Sequence, residues 1–187
     1  MITLQQQASA EQTIQKSRFI AQAKYCETER EVAFFLRQLA SQHPTAHHLA
    51  YAYRIKTAEG VIPRFSDAGE PSGTAGKPIL QILDGQQYIN VCVGVIRYYG
   101  GINLGTGGLV KAYGGTAKLA LEHAGSTPYI EMQEIQITTS YKRVDELTRE
   151  LSKLKGTVLN KVFDEAAHFI VRLPAQSVQQ FQQRFQP

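Results

Sequence analysis

"INVCVGVIRYY" at 89–99 and "GTGGLVKAYGGTAKLALEHAG" at 105–125 decide the fold, with a glycine-rich turn between them. The first stretch is almost continuously apolar and rich in β-branched side chains, as in a strand buried on both faces. It is expected to be the central strand of a sheet. The second puts Leu109, Tyr113, Ala117, Leu121 and Ala124 on one helical face, and Lys111, Lys118 and Glu122 on the other. Gly114 and Gly115 fall mid-helix, where each costs about 1 kcal/mol relative to alanine. They are expected to allow close backbone packing against the sheet.

The pattern extends upstream. "SRFIAQAKYC" (17–26) alternates apolar and polar residues as a strand does, and "LAYAYRI" (49–55) reads as a second, aromatic-rich strand. Between them Thr28 and Glu31 form a capping box. Val32, Phe35, Leu36 and Leu39 follow at helical spacing, and His43-Pro44 ends that helix. "KPILQIL" begins a helix whose start lies between Thr74 and Lys77 and whose end lies near Gly85.

Downstream, "GSTPYI" (125–130) reads as a linker. The periodicity then restarts: a strand at "IQITTSY", then a helix lined by Val144, Leu147, Leu151 and Leu154 and stopped at Gly156. "TVLNKVF" and "HFIVRL" read as a hairpin, and Val178, Phe181 and Phe185 mark a last helix. This β-α-β-β-α order is one strand short of a ferredoxin-like unit, and the chain reaches Pro187 where the final strand would begin. The expectation is an α+β protein of two domains, 1–127 of βαβ type and 131–187 small and ferredoxin-like.

Composition narrows the function classes. Of 187 residues, 43% are apolar and 19% charged, as in a soluble globular protein able to bury a core. "MITLQQQASAEQT" has no basic or apolar region of a secretory signal, and no apolar run approaches the roughly 18 residues of a membrane span. A cytoplasmic protein without membrane contact is expected. Cys26 and Cys92 read as buried thiols. The net charge of +4 is mildly basic and does not by itself identify a nucleic-acid protein. Its distribution is more informative: between Lys77 and Lys118 the basic residues are Lys77, Arg97, Lys111 and Lys118, against Asp84 alone. Such a glycine-rich, locally positive segment suits an anionic ligand or an acidic partner face. The plainer reading is a solvated face.

Two loops carry the candidate chemistry. "FSDAGEPSGTAGKPIL" (65–80) is a near miss for a Walker A loop: Gly76-Lys77 is followed by Pro78, and Pro71 stands where the first glycine belongs. "YYGGINLGTGGLVKAY" (98–113) follows a strand and opens a helix, but Val110 replaces the third glycine of a dinucleotide fingerprint. Both place glycines before a helix N-terminus, where free N–H groups attract anions. A phosphate or carboxylate site would draw on Ser72, Gly73, Thr74, Gly76 and Lys77 from the first loop. From the second it would draw on Arg97, Tyr98, Gly100, Gly101, Gly105, Gly107, Gly108 and Lys111. The alternative is that the glycines serve only tight turns and packing. Asp67 and Glu70 could form an acid–base pair, but capping and pairing with basic side chains are commoner. His43, His47 and His48 invite a metal reading, which Pro44 and the distant cysteines disfavour. No Gly-x-Ser-x-Gly elbow is present. Tyr98 and Tyr99 beside Arg97 could stack on bases.

Taken together, "SDAGEPSGTAGKPIL" and "VIRYYGGINLGTGGLVKAY" closely resemble the signature of the IMPACT family, bacterial YigZ-like branch. "SRFIA" (17–21) and "HPTAHH" (43–48) extend the resemblance to roughly residues 15–125, and the remainder resembles the small C-terminal domain of the same bacterial proteins. One departure is Ala68, where the family usually has a second aspartate before Gly-Glu-Pro. The resemblance implies a first domain similar to domain IV of elongation factor G and a second similar to its domain V. It also implies binding rather than chemistry, since the eukaryotic members regulate translation by competing for a protein partner. The leading expectation is therefore a non-catalytic protein that contacts RNA, the ribosome or a translation factor. His48, Asp67 and Glu70 join the two loops in one rim, without cofactor, metal or sequence-specific DNA binding. The competing expectation is an enzyme acting on a phosphorylated or carboxylated small molecule with Asp67, Glu70 and His48.

Overall fold

The apolar run at 89–99 lies at the centre of a five-stranded antiparallel sheet in the computed structural model, which describes residues 1–185. The chain begins with strands β1 (Ile2–Leu4), β2 (Ala8–Ile14) and β3 (Ser17–Tyr25), then helix α1 (Glu29–Gln42). β4 (His48–Thr57) and β5 (Gly60–Ser66) form a hairpin, followed by α2 (Gly76–Gly85), β6 (Val91–Tyr98), α3 (Gly105–Ala124) and β7 (Ser126–Pro128). The sheet order is β2-β3-β6-β4-β5. Because β3 and β4 both run antiparallel to β6, they run parallel to each other on either side of it, giving a split β-α-β unit across α1.

β6 is apolar from Val91 to Ile96 because helices cover both its faces. Val91, Val93 and Val95 join Phe19, Ala21, Ala23, Ala50 and Ala52 under α2 and α3. Cys92 and Ile96 face α1 with Ile20, Tyr53 and Ile55. Half of the capping box forms as read, Glu31 N–H donating to Thr28 Oγ1 at 3.1 Å, while Glu31 Oε2 accepts from Glu27 N–H at 2.7 Å, one residue before the cap. Gly94, midway along β6, lets α1 settle on the sheet; a Cβ there would stand 2.7 Å from Leu39 Cδ2 and 3.3 Å from both Leu36 Cδ2 and Leu49 Cδ1. Both cysteines are free and buried, and burial pushes the Cys26 thiol up to about 11.

Several expectations change. Gly114 faces α2 rather than the sheet, with Pro78 and Ile82 at 3.6 and 3.7 Å from an added Cβ. Gly115 would meet only Gln12 Oε1, at 3.7 Å. Neither approach is close enough to demand glycine. "GSTPYI" is not a simple linker, since Ser126–Pro128 forms β7 and pairs antiparallel with β1. β1, β2 and β5 were not legible in the sequence. β2 and β5 are the sheet's edges, where half-exposed strands of small or polar residues suffice, and an edge tolerates Pro63.

The chain divides into two compact units, the first Met1–Tyr129 and the second from Ile130 on. The second contains β8 (Met132–Thr139), α4 (Val144–Lys153), β9 (Thr157–Phe163), β10 (Ala167–Pro174) and α5 (Val178–Phe185). Its sheet order is β8-β10-β9, both pairs antiparallel. Ile135, Ile137, Phe169 and Val171 pack there with Leu147 and Leu151 of α4 and Phe181 and Phe185 of α5. The expected final strand, from Pro187 on, lies outside the described residues.

Two glycine substitutions should move stability in opposite directions. Gly94→Ala should destabilise the first unit by about 1–3 kcal/mol, because the new methyl displaces Leu39 and Leu36. Gly115→Ala should stabilise it by about 0.4–1 kcal/mol, because the site has ordinary van der Waals room and the unfolded chain loses freedom. Urea midpoints of the full chain would measure both; equal effects would contradict this packing.

Candidate functional site

The loop from Asp67 to Ala75, between β5 and α2, is wrapped around its own first carboxylate. Asp67 Oδ1 accepts from the N–H groups of Ala75 (3.0 Å) and Gly76 (2.8 Å), and Oδ2 accepts from Gly73 N–H (2.8 Å). Burial pushes this carboxyl up, but the backbone donors of Gly73, Ala75, Gly76 and Lys77 outweigh it and hold its pKa below the usual aspartate value. α2 starts hard against the end of β5: a Cβ on Gly76 would stand 2.3 Å from Ser66 O. The expected anion cradle at 73–76 is thus filled from within, because the N–H groups that would have held a phosphate already hold Asp67.

Glu70 points inward from the same loop, its side chain 5% exposed. Its Oε1 accepts from Arg97 Nη1 and from Tyr113 Oη, both at 2.7 Å. His48 Nε2 stands 3.8 Å from the same oxygen. The His48 Nδ1 lies 2.8 Å from Ala68 O, and a carbonyl only accepts, so Nδ1 carries the hydrogen and Nε2 faces Glu70. Burial, then the hydrogen bond to Glu70, push the Tyr113 hydroxyl far above its ordinary value, so it stays a proton donor to the carboxylate. Ala68 holds a left-handed backbone, φ 51°, that asparagine, aspartate or glycine adopts more readily.

The second loop fastens to the same end of the sheet. Tyr99 N–H donates to His47 Nδ1 (3.1 Å), Gly100 N–H to Ser17 Oγ (3.2 Å), and Tyr99 Oη to Asn103 Oδ1 (3.1 Å). The Arg97 guanidinium lies 5.3 Å from the Tyr99 ring and 5.6 Å from Phe19. Both glycine-rich loops therefore meet at the C-terminal end of β6, joined through Arg97.

The structure sorts the expected residues. His48, Glu70 and Arg97 converge, Asp67 organises their loop, and Thr74 and Gly76 are buried packing positions. Ser72, Lys77, Gly101, Gly105, Gly107 and Lys111 are exposed, while Gly73, Gly100 and Gly108 are half-buried. Two assignments are corrected. Arg97, 5% exposed and paired with Glu70, is not available as a phosphate contact. Tyr98 is half-buried, its hydroxyl 2.8 Å from His43 Nδ1 and its ring beneath Arg18, so the exposed ring of the pair is Tyr99. The three histidines go to three different partners, and among the described residues no group of three or more His, Cys, Asp or Glu is placed to hold a metal. Tyr113 and Ser17 were missed. The signal for Tyr113 was a hydroxyl on an otherwise aliphatic buried helix face, where it must find a partner.

Residues 15–121 match the model of the Impact N-terminal domain. The chain is 39% identical over 161 residues to an "IMPACT family member in pol 5'region" of Thermus thermophilus, covering 86% of each chain. It is 35% identical over 169 residues to the "IMPACT family member YigZ" of Escherichia coli, covering 90% of this chain and 83% of that one. A crystal structure of a hypothetical protein superposes with a TM-score of 0.73 at 32% identity, covering 98% of this chain and 89% of the other. No helix among the described residues is long and apolar enough to cross a membrane.

Glu70→Ala should cost about 3–5 kcal/mol, since it leaves a buried guanidinium without its counter-charge. Tyr113→Phe should cost about 1 kcal/mol. Comparable losses would place the stabilisation elsewhere than in the ion pair. Asp67→Asn should cost about 1–3 kcal/mol at neutral pH by leaving backbone donors unpaired. Because the folded Asp67 carboxyl is depressed, its contribution is full above the unfolded value of about 3.9 and fades as pH falls through the folded value. The gap between wild type and Asp67→Asn should therefore narrow in acid; a gap constant with pH would contradict the assignment.

Proposed function

The chain belongs to the IMPACT family, and from that premise we propose that it is a non-catalytic, translation-linked binding protein of the cytoplasm. Its first unit presents the two glycine-rich loops as one rigid rim to an RNA, the ribosome or a translation factor. One observation carries the reading: the loop's carboxylates are turned to the protein's own donors. Asp67 accepts from three backbone N–H groups, and Glu70 Oε1 accepts from Arg97 and Tyr113. What faces outward is Ser72, Lys77, Tyr99, Ile102 and Lys111, a mixture of hydroxyl, cation and apolar surface suited to contact. The similarity to domains IV and V of elongation factor G that the family resemblance implies points the same way, by analogy.

Affinity capture from lysate, with and without ribonuclease, tests this with wild type and a Lys77→Ala/Lys111→Ala variant. Wild type should retain ribosomal or translation-factor components, and the variant should retain markedly less. Capture without any translation component would overturn the reading. If the rim partner is RNA, log K should fall with log salt by roughly 0.7 per phosphate neutralised on a single strand, and Lys111→Ala should flatten that slope by about one phosphate.

A further inference from the structure

A second surface lies at the other end of the sheet from the rim. α1 crosses one face from its N-terminus beside Tyr25 to its C-terminus at His43, whose ring meets Tyr98 of the rim end. Beside its N-terminal half opens a groove of about 670 Å³, lined by Lys24, Tyr25, Arg30, Phe34 and Arg37 with Thr28 and Glu31. Arg30, Phe34 and Arg37 are four and three residues apart, so they form one stripe along the helix, spanning about 10 Å at 1.5 Å per residue. Phe34 is 54% exposed and Tyr25 38%, unusual for aromatic rings beside a well-filled core.

The lining of the groove carries three cations, Lys24, Arg30 and Arg37, and one carboxylate, Glu31. None of Lys24, Arg30 and Arg37 has a carboxylate within ion-pair distance among the described residues. The neighbouring acids keep their charge but are oriented by neutral donors: Glu31 Oε2 accepts from Glu27 N–H, Glu27 Oε1 from Tyr25 Oη, and Glu29 Oε1 from Tyr53 Oη.

We infer that this groove binds single-stranded RNA, with Arg30, Arg37 and Lys24 on phosphates and a base stacked on Phe34. An exposed ring flanked by cations on both sides provides both parts of such recognition, a positive track and a sequence-tolerant stacking platform. An acidic peptide fits less well. β3 is paired on both edges, with β2 and β6, so it offers no free backbone for strand addition. A docked amphipathic helix would lay an apolar face along the groove and give Lys24, Arg30 and Arg37 no counter-charge. This inference does not depend on the rim, and the experiment separates the two.

The test is fluorescence anisotropy of a short labelled oligouridylate with the full chain, titrated at several salt concentrations. Phe34→Ala should weaken binding about 5- to 150-fold, equivalent to 1–3 kcal/mol for one stacked base, with the salt slope unchanged. Phe34→Tyr should restore it, and Phe34→Leu should not. Arg30→Gln/Arg37→Gln should weaken binding and flatten the slope by roughly 1.4, at about 0.7 per lost contact. Lys77→Ala/Lys111→Ala should leave binding at the groove in place. These positions are exposed, so circular dichroism should show all variants folded. The inference is overturned if wild type does not bind at low salt, or if the groove variants bind as wild type does. It is equally overturned if only the rim variant loses binding, or if a polyglutamate peptide binds this groove while oligouridylate does not.

Discussion

One carboxylate oxygen holds the candidate site together. Glu70 Oε1 receives the Arg97 guanidinium from the end of β6 and the Tyr113 hydroxyl from α3, and Glu70 itself belongs to the loop before α2. Three segments far apart in sequence are thereby fixed to one point. Replacing such a pair by apolar side chains often costs nothing in net stability, so its value is chiefly positional. The geometry fixes the loop's inner side, and with it the direction in which Ser72 and Lys77 face. Arg97 is left with an Nε that has no hydrogen-bond partner, an expense the fold accepts at this position.

How much of the fold was legible depended on how strongly each segment's own pattern spoke. β6 is buried on both faces and reads as an almost continuous apolar run; α1 announces itself with its N-cap and spacing. β1 and β7 are three residues each, too short to show any alternation, and exist because they pair with each other across most of the first unit. β5 carries a proline and a largely exposed surface. A short or edge strand is defined by its partner, and the partner is invisible until the chain has folded.

The site was legible in its residue types and not in their directions. Asp67 and Glu70, three residues apart in a glycine-rich loop, could have faced a ligand or the protein; the sequence contains nothing that decides between them. The decision comes from tertiary supply. Asp67 finds the unpaired N–H groups at the start of α2, and Glu70 finds a guanidinium and a phenol already buried. Arg97 looked like an available cation because its nearest acid in sequence is Asp84, yet its true partner is 27 residues away. Charge counted along a chain predicts the field of a segment but not which charges reach the solvent.

The pairing of β7 with β1 also brings residues 1–4 against residues 126–129. Ile2 lies opposite Pro128, and Tyr129 N–H donates to Met1 O at 3.2 Å, so both ends of the unit emerge side by side. A module whose entrance and exit coincide can be spliced into another chain, or joined end to end and reopened in an exposed turn such as that between β4 and β5, without disturbing its core.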